Sequence, residues 1–286
     1  MRAMLHASDN GTTLSISMVL YQSPLELVAR TVRSLQVAVQ YASAAGDVSR
    51  VHLQVVDNSS AVAYQVAAKT LFEELQAAAA ELAVSYCRAG SNRGYGAGHN
   101  LALAKVDSDL HLILNPDVEL AKEALLAGVR GFYARPDLAL MGPRVLGDDG
   151  EPQHLCKRYP SVLVLLLRAL GWHWLQTIFS DRLQRYEMRE LQDLEQEMEV
   201  LMVSGCFMLV PTPVLKSVGG FDERYFLYFE DFDLSLRLAG CGRVIFNPAV
   251  EIVHHGGFAA RKGLKHIGLF AQGSWRFFHQ HGWRWL

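Results

Sequence analysis

The strongest constraint on this chain is a regular alternation of short apolar runs with longer helical stretches up to Leu114. Leu14 to Tyr21, Val51 to Val56, Ala83 to Cys87 and Leu110 to Leu114 each read as a strand. Between the first two, Ser23-Pro24 reads as an N-cap followed by proline at the first helical position, opening a helix to about Ala42. An alanine-rich helix follows Asp57-Asn58-Ser59-Ser60 and runs to about Leu82, and another opens at Gly94-Tyr-Gly96-Ala-Gly98. Strands separated by helices cannot pair as hairpins, so the expected class is α/β, with a mostly parallel central sheet and helices on both faces.

The alternation breaks after Pro143. A turn at Gly147-Asp-Asp-Gly150, an apolar helix from Ser161 to about Leu175 and an acidic stretch from Glu187 to Glu199, read as a solvated helix face, predict a central insertion. Strand-like sequence resumes at Val200 to Val210, Val244 to Phe246 and Val250 to Val253. The last 35 residues contain no Asp or Glu, five Lys or Arg and seven aromatics. Within them Leu264 to Gln280 predicts an amphipathic helix, with Ile267, Ala271, Trp275 and Phe278 on its apolar side and Lys265, Gln272, Arg276 and His279 opposite. The expectation is a single domain over 14–262, divided into halves at about 143, with a helix and tail over 263–286.

A net charge of -2 leaves no footprint for nucleic acid. Cys87, Cys156, Cys206 and Cys241 have neither CxxC nor zinc spacing, as expected of a reduced cytoplasmic setting. Met1 to Thr13 has no apolar stretch of the export-signal kind, and the aliphatic run Val162 to Leu167 is far short of the roughly 20 residues a membrane span needs.

Four acidic positions stand where chemistry is expected. Asp57 ends one strand, where its carboxylate can accept the ring N–H of a pyrimidine beside Asn58; capping a helix is its plainer role. Asp117, in Asn115-Pro116-Asp117, ends another, at the edge where open α/β sheets bind ligands. A hard divalent ion needs only one or two protein carboxylates when phosphate oxygens complete its shell, and His254, after Val250 to Val253, is a second candidate ligand. Glu230 and Asp231 open a helix behind the aromatic run Tyr225 to Phe229; repulsion and partial burial raise a carboxylate's pKa, which suits a general base. The segment Ser91 to Asn100 brings backbone close to a ligand, and Arg261-Lys262 could meet phosphate.

In order, DNSS, SNRGYGAGHN, NPD, VSGCFMLVP, VGGFDERYFLYFEDFDL and HHGG resemble the family 2 glycosyltransferases of the GT-A fold, most closely their rhamnosyltransferase-like branch. The resemblance covers roughly residues 14–262. It implies an inverting, metal-dependent transfer of a sugar from a nucleoside diphosphate donor to a hydroxyl of a glycan or lipid-linked acceptor in bacterial surface polysaccharide synthesis. The branch implies L-rhamnose from dTDP-rhamnose, with a UDP-hexose as the alternative donor. Carried onto this chain, Asp57 and Asn58 bind the base, and Asn92, Gly96, Asn115 and Gly205 belong to the nucleotide-sugar site. Asp117 and His254 hold Mg²⁺ or Mn²⁺, Asp231 is the catalytic base and Glu230 supports it. The metal motif here is NPD in place of DxD, and no serine follows His254-His-Gly-Gly257 where the family pattern has one. A sugar-phosphate nucleotidyltransferase would need a basic glycine loop after the first strand, which Leu20-Tyr-Gln-Ser-Pro24 lacks; a non-catalytic binding protein would have no use for the acidic cluster. The tryptophans and basic residues of the tail suit peripheral contact with the cytoplasmic face of an anionic membrane.

Overall fold

The computed structural model describes residues 11–78, 81–256 and 264–286. It is a mixed α/β fold with a central, mostly parallel sheet. Strands β1 (Thr12–Leu20), β2 (Val48–Asp57), β3 (Leu82–Arg88) and β4 (Leu110–Leu114) alternate with helices α1 (Leu25–Ala44), α2 (Val62–Ala78) and α3 (Tyr95–Leu103). All four strands pair in parallel, in the order β3-β2-β1-β4. The chain continues through β5 (Val118–Leu120), α4 (Ala124–Ala134) and β6 (Leu138–Leu146) to β7 (Cys156–Lys157), α5 (Val162–Leu170), α6 (His173–Ile178) and α7 (Ser180–Tyr186). It closes with β8 (Met198–Glu199), β9 (Met202–Val203), β10 (Phe207–Pro211), α8 (Thr212–Ser217), α9 (Glu230–Ala239), β11 (Arg243–His254) and α10 (Leu264–His281). Strand β10 enters antiparallel between β4 and β6, and β11 joins parallel to β6.

Every residue of β4 and β10 is buried, because helices cover both faces. Val28, Val32 and Leu35 of α1 and Val129 and Phe132 of α4 pack into one core cluster. Leu103 of α3, Leu215 of α8 and Leu234 and Leu238 of α9 pack into another. A third unites Leu165 of α5, Tyr225, Phe229 and Phe277 and Phe278 of α10, so the C-terminal helix is fastened to the start of α9.

Several elements differ from expectation. Pro24 is itself the N-cap of α1, and its missing N–H falls just outside the helix. Helix α2 is described over Val62–Ala78, and it cannot reach the end expected at about Leu82, which already pairs with Val51 as the first residue of β3. The helix expected over 161–175 breaks at Gly171, which takes a left-handed φ of 64°. The acidic stretch is no helix beyond a short 3₁₀ turn, Arg189–Asp193; its carboxylates bond arginines, as Glu187 does Arg168 and Arg189. The run 200–210 is two strands interrupted at Ser204 to Cys206, whereas 244–246 and 250–253 form one strand with a bulge at Pro248, which has no N–H to give the ladder. Strand β6, which carries no alternation, escaped sequence reading altogether.

The packed face of α10 matches the expected one only at Phe278. Phe270, Phe277 and Phe278 turn inward, and a Cβ at Gly273 would stand 2.7 Å from the Tyr228 carbonyl, so glycine permits the close approach. Ile267 and Trp275 remain 65% and 55% exposed. We predict that Phe277→Ala costs about 3–5 kcal/mol in urea unfolding, as truncation of a buried Phe does. Trp275→Ala should change stability by no more than about 0.5 kcal/mol. The opposite ranking would put the packed face where the sequence pattern had it.

Candidate active site

The site forms where β4 and β10 run side by side. Phe207 lies opposite Leu114, and just beyond this pair the Asn115 N–H donates to the Cys206 carbonyl at 2.9 Å. Asn115 and Gly205 are thereby neighbours, at the carboxyl ends of the parallel strands. The Tyr95 hydroxyl bridges them, 3.0 Å from Asn115 Oδ1 and 2.7 Å from the Gly205 carbonyl oxygen. Burial pushes this phenol well above its ordinary pKa, and the charges of Glu230 and other nearby groups add to that, so it stays a donor.

Gly205 also fixes the acidic pair. Its N–H donates to Asp231 Oδ2 at 2.9 Å, while the Phe232 N–H donates to Asp231 Oδ1 at 2.9 Å. The two residues before Glu230, Tyr228 and Phe229, hold φ of 72° and 69°, a left-handed conformation costly for side-chain-bearing residues. Glu230 is 5% exposed, and its Oε2 finds no partner among the described residues. Burial raises the pKa of both carboxyls; Asp231 repels a second charge on Glu230, and the two backbone N–H groups hold Asp231 down. These contacts favour the charge on Asp231 and a shared proton on Glu230. The third acid, Asp233, has a different task. Fully buried, it accepts from Arg237, Gln280 and His281, tying α10 to α9.

A cavity of about 480 Å³ opens beside this junction, and Asn58, Asn92, Asn115 and Asp117 all line it. Gly94 gives it a backbone wall: its φ is 104° and a Cβ would collide with the Phe226 carbonyl, which accepts the Tyr95 N–H at 3.1 Å. Asn58 Nδ2 donates to the Gly94 carbonyl and Asn92 Oδ1 accepts the Gly94 N–H, each at 3.0 Å. Three expected residues lie elsewhere. Asp57 sits beneath the wall, 1% exposed, accepting from the Ser59 N–H at 2.8 Å and the Tyr86 hydroxyl at 2.5 Å. Gly96 faces Phe221, where a Cβ would come within 2.7 Å, so its lack of a side chain serves helix packing. Gly205 acts through its backbone on Asp231 and Tyr95.

Asp117 and His254 meet because β11 brings its end to β5, pairing His254 with Val118. His254 Nε2 lies 3.6 Å from Asp117 Oδ1. Gln153 grips this histidine twice: its Nε2 donates to the His254 carbonyl at 3.0 Å, which turns its Oε1 toward Nδ1 at 2.9 Å. The histidine proton is therefore on Nδ1, and Nε2 presents a lone pair. Burial lowers the His254 pKa, keeping the ring neutral despite the opposing charge of Asp117. Asp117 Oδ1 is buried without a hydrogen-bond partner, and a Cβ on Gly256 would stand 2.5 Å from His254 Nε2 and 2.9 Å from Asp117 Oδ2. Two oxygen and nitrogen acceptors face one another across a space left clear by a glycine, a donor set that fits a divalent cation. No group of three His, Cys, Asp or Glu side chains at metal spacing occurs among the described residues, so phosphate and water would complete the shell. Gly257, Arg261 and Lys262, expected near phosphate, lie outside the described residues.

Sequence reasoning missed Tyr95, Gln153 and His266, which lines the cavity from α10. Tyr95 stands in the glycine segment, and its position between two glycines was a usable signal. Gln153 had none, since only the folded 147–150 turn returns it to β11.

Residues 15–218 match the model of glycosyl transferase family 2, and the chain belongs to that family. It is 30% identical over 179 residues to N-acetylglucosaminyl-diphospho-decaprenol L-rhamnosyltransferase of Mycobacterium tuberculosis H37Rv, covering 58% of this chain and 57% of that protein. It is 27% identical over 181 residues to rhamnosyltransferase WbbL of Escherichia coli K12, covering 58% and 62%. The chain thus spans little more than half the length of these relatives. Among solved structures, GalNAc-T7 with UDP, GalNAc and Mn²⁺ superposes with a TM-score of 0.59 at 14% identity, over 86% of this chain and 43% of that one. Staphylococcus aureus TarS gives 0.55 at 15% identity, over 94% and 72%. The fold is that of GT-A glycosyltransferases.

Asp117→Ala and His254→Ala should each weaken Mn²⁺-dependent binding of a nucleoside diphosphate while the free nucleoside binds as before. Calorimetry with and without EDTA reads this directly. Equal diphosphate affinity in the wild type and both variants would contradict the assignment.

Proposed function

We propose that the protein is an inverting, metal-dependent glycosyltransferase moving L-rhamnose from dTDP-rhamnose to a hydroxyl of a lipid-linked glycan acceptor, with a UDP-hexose as the alternative donor. The observation that carries this reading is the acidic pair: Asp231, held by two backbone N–H groups, beside a buried Glu230 whose Oε2 has no partner among the described residues. Through Gly205, Tyr95 and Asn115 that pair is joined to the cavity that holds Asp117. Names of the relatives support the sugar and the acceptor class.

In the reaction proposed, Asp231 takes the proton of the acceptor hydroxyl as its oxygen attacks the anomeric carbon. The bond from that carbon to the diphosphate oxygen breaks, and the electron pair leaves with the nucleoside diphosphate. Mg²⁺ or Mn²⁺, held by Asp117 and His254, would supply charge to offset that building on the departing diphosphate. Glu230, by keeping its proton, leaves Asp231 as the one base. Asn58, Asn92 and Asn115, which line the cavity, offer polar contacts to the donor and its thymine or uracil base. Among the described residues no helix is long and apolar enough to cross a membrane, and we assign the basic aromatic tail to peripheral contact with the cytoplasmic face.

A panel of nucleotide sugars with Mg²⁺ or Mn²⁺, scored for nucleoside diphosphate release, tests the assignment. Release from a dTDP- or UDP-sugar, with GDP binding more weakly than dTDP, is expected; tighter GDP binding would remove the pyrimidine assignment. Asp231→Asn should lower turnover by about 10²–10⁴-fold, the usual worth of general-base catalysis, with donor affinity nearly unchanged. Glu230→Gln copies the protonated acid and should retain turnover at neutral pH. Because the base must be ionised, wild-type activity should fall as pH drops through a limb above the ordinary aspartate range. An active Asp231→Asn with an inactive Glu230→Gln would exchange the two roles.

A further inference from the structure

A second cavity, of about 440 Å³, lies between α7, the segment after β7 and the C-terminal tail. Arg158, Arg182, Arg185 and Arg284 line it beside Tyr159 and Tyr186, and Asp181 is the only acidic side chain in its wall among the described residues. Two of the guanidiniums are fixed. Arg284 lies over the Tyr159 ring at 4.4 Å, while Arg158 donates to the Arg185 carbonyl at 2.7 Å and to Glu190 at 2.5 Å. Arg182 and Arg185 have no carboxylate partner among the described residues. Like charges gathered around one concavity oppose each other until an anion enters, and guanidinium forks match phosphate oxygens in pairs.

Apolar surface adjoins this basic wall. The tail is docked on α5, whose Val162 and Leu163 N–H groups donate to the Arg284 and Trp285 carbonyls at 2.8 and 3.2 Å. Trp283 stacks on Trp285 at 5.3 Å, and Trp285 and Leu286 are exposed. Leu166 and Leu170 of α5 and Trp174 and Ile178 of α6 are exposed too, at four-residue spacing. The cavity is also near the acidic pair. Lys157 lies opposite Met202, three residues before the Gly205 that holds Asp231. Burial, with the charge of Asp231 adding to it, raises the phenol of Tyr186 in the cavity wall to about 12.

We propose that this cavity is the diphosphate cradle of a lipid-linked acceptor. Its arginines clasp the phosphate oxygens, the exposed Trp and Leu surface receives the hydrocarbon chain, and the attached sugar extends toward Asp231. The assignment rests on the lipid-linked acceptor of the proposed function and names where that acceptor is held.

Calorimetry on the full chain tests it, with farnesyl diphosphate as probe and the double variant Arg182→Gln, Arg185→Gln, whose side chains are exposed. Loss of two charge-assisted contacts should weaken the probe by about 10-fold or more. A Lys69→Gln, Lys122→Gln variant, of equal charge change elsewhere, should bind as the wild type does. Inorganic diphosphate should bind more weakly than the farnesyl compound, and phosphatidylglycerol vesicles should lose little affinity in the arginine variant. Wild-type affinity in that variant overturns the proposal. So does inorganic diphosphate binding as tightly as the probe, which marks a free-anion site. Arginine-dependent vesicle binding without probe binding marks a bilayer contact and overturns it as well. No sugar is transferred in this measurement, so probe binding without turnover on any donor would remove the transfer reading and leave the cavity assignment standing.

Discussion

The pairing of β10 with β4 is the contact on which the rest of the site depends. It is antiparallel, in a region where the neighbouring strands are parallel, so the backbone of Gly205 and Cys206 arrives beside the end of β4. One backbone then serves three partners: Cys206 accepts from Asn115, the Gly205 carbonyl meets Tyr95, and the Gly205 N–H donates to Asp231. The half of the chain that carries Asp117 is thereby held in register with the half that carries Asp231. Backbone groups and one phenol thus position residues that lie far apart in sequence.

Electrostatics at this junction follows from burial. Two adjacent carboxyls withdrawn from water cannot both ionise cheaply, and the backbone donors decide which one does. Asp231 has two such donors, whereas Glu230 has an oxygen without a partner. Left-handed backbone at Tyr228 and Phe229 aims the pair, and α10 presses Gly273 against Tyr228 while Gln280 and His281 grip Asp233. The C-terminal helix is thus part of what holds the acidic motif in place.

Much of the fold was legible in the sequence because apolar periodicity follows directly from burial on a sheet. The four parallel strands and the helices between them could be read that way. The strands of the second half were harder. β6 is buried on both faces and so lacks alternation, and the bulge at Pro248 made one strand look like two. In α10 the sequence pattern placed Phe278 on the apolar side but not Phe270 or Phe277, which pack inward only through contact with Tyr225 and Phe229. Of the candidate site, Asn58, Asn92, Asn115 and Asp117 do share one cavity, and His254 does reach Asp117. What could not be read were roles set by tertiary return: Gln153 on His254, Tyr95 between two strands, and Asp233 as a structural acid.

The central claim is a single displacement, with Asp231 taking the acceptor proton and no covalent sugar intermediate. The anomeric configuration of the product, read by NMR from the one-bond C–H coupling at the transferred sugar's anomeric carbon, tests it most directly. The account predicts a configuration opposite to that of the donor; a product that keeps the donor's configuration would contradict it.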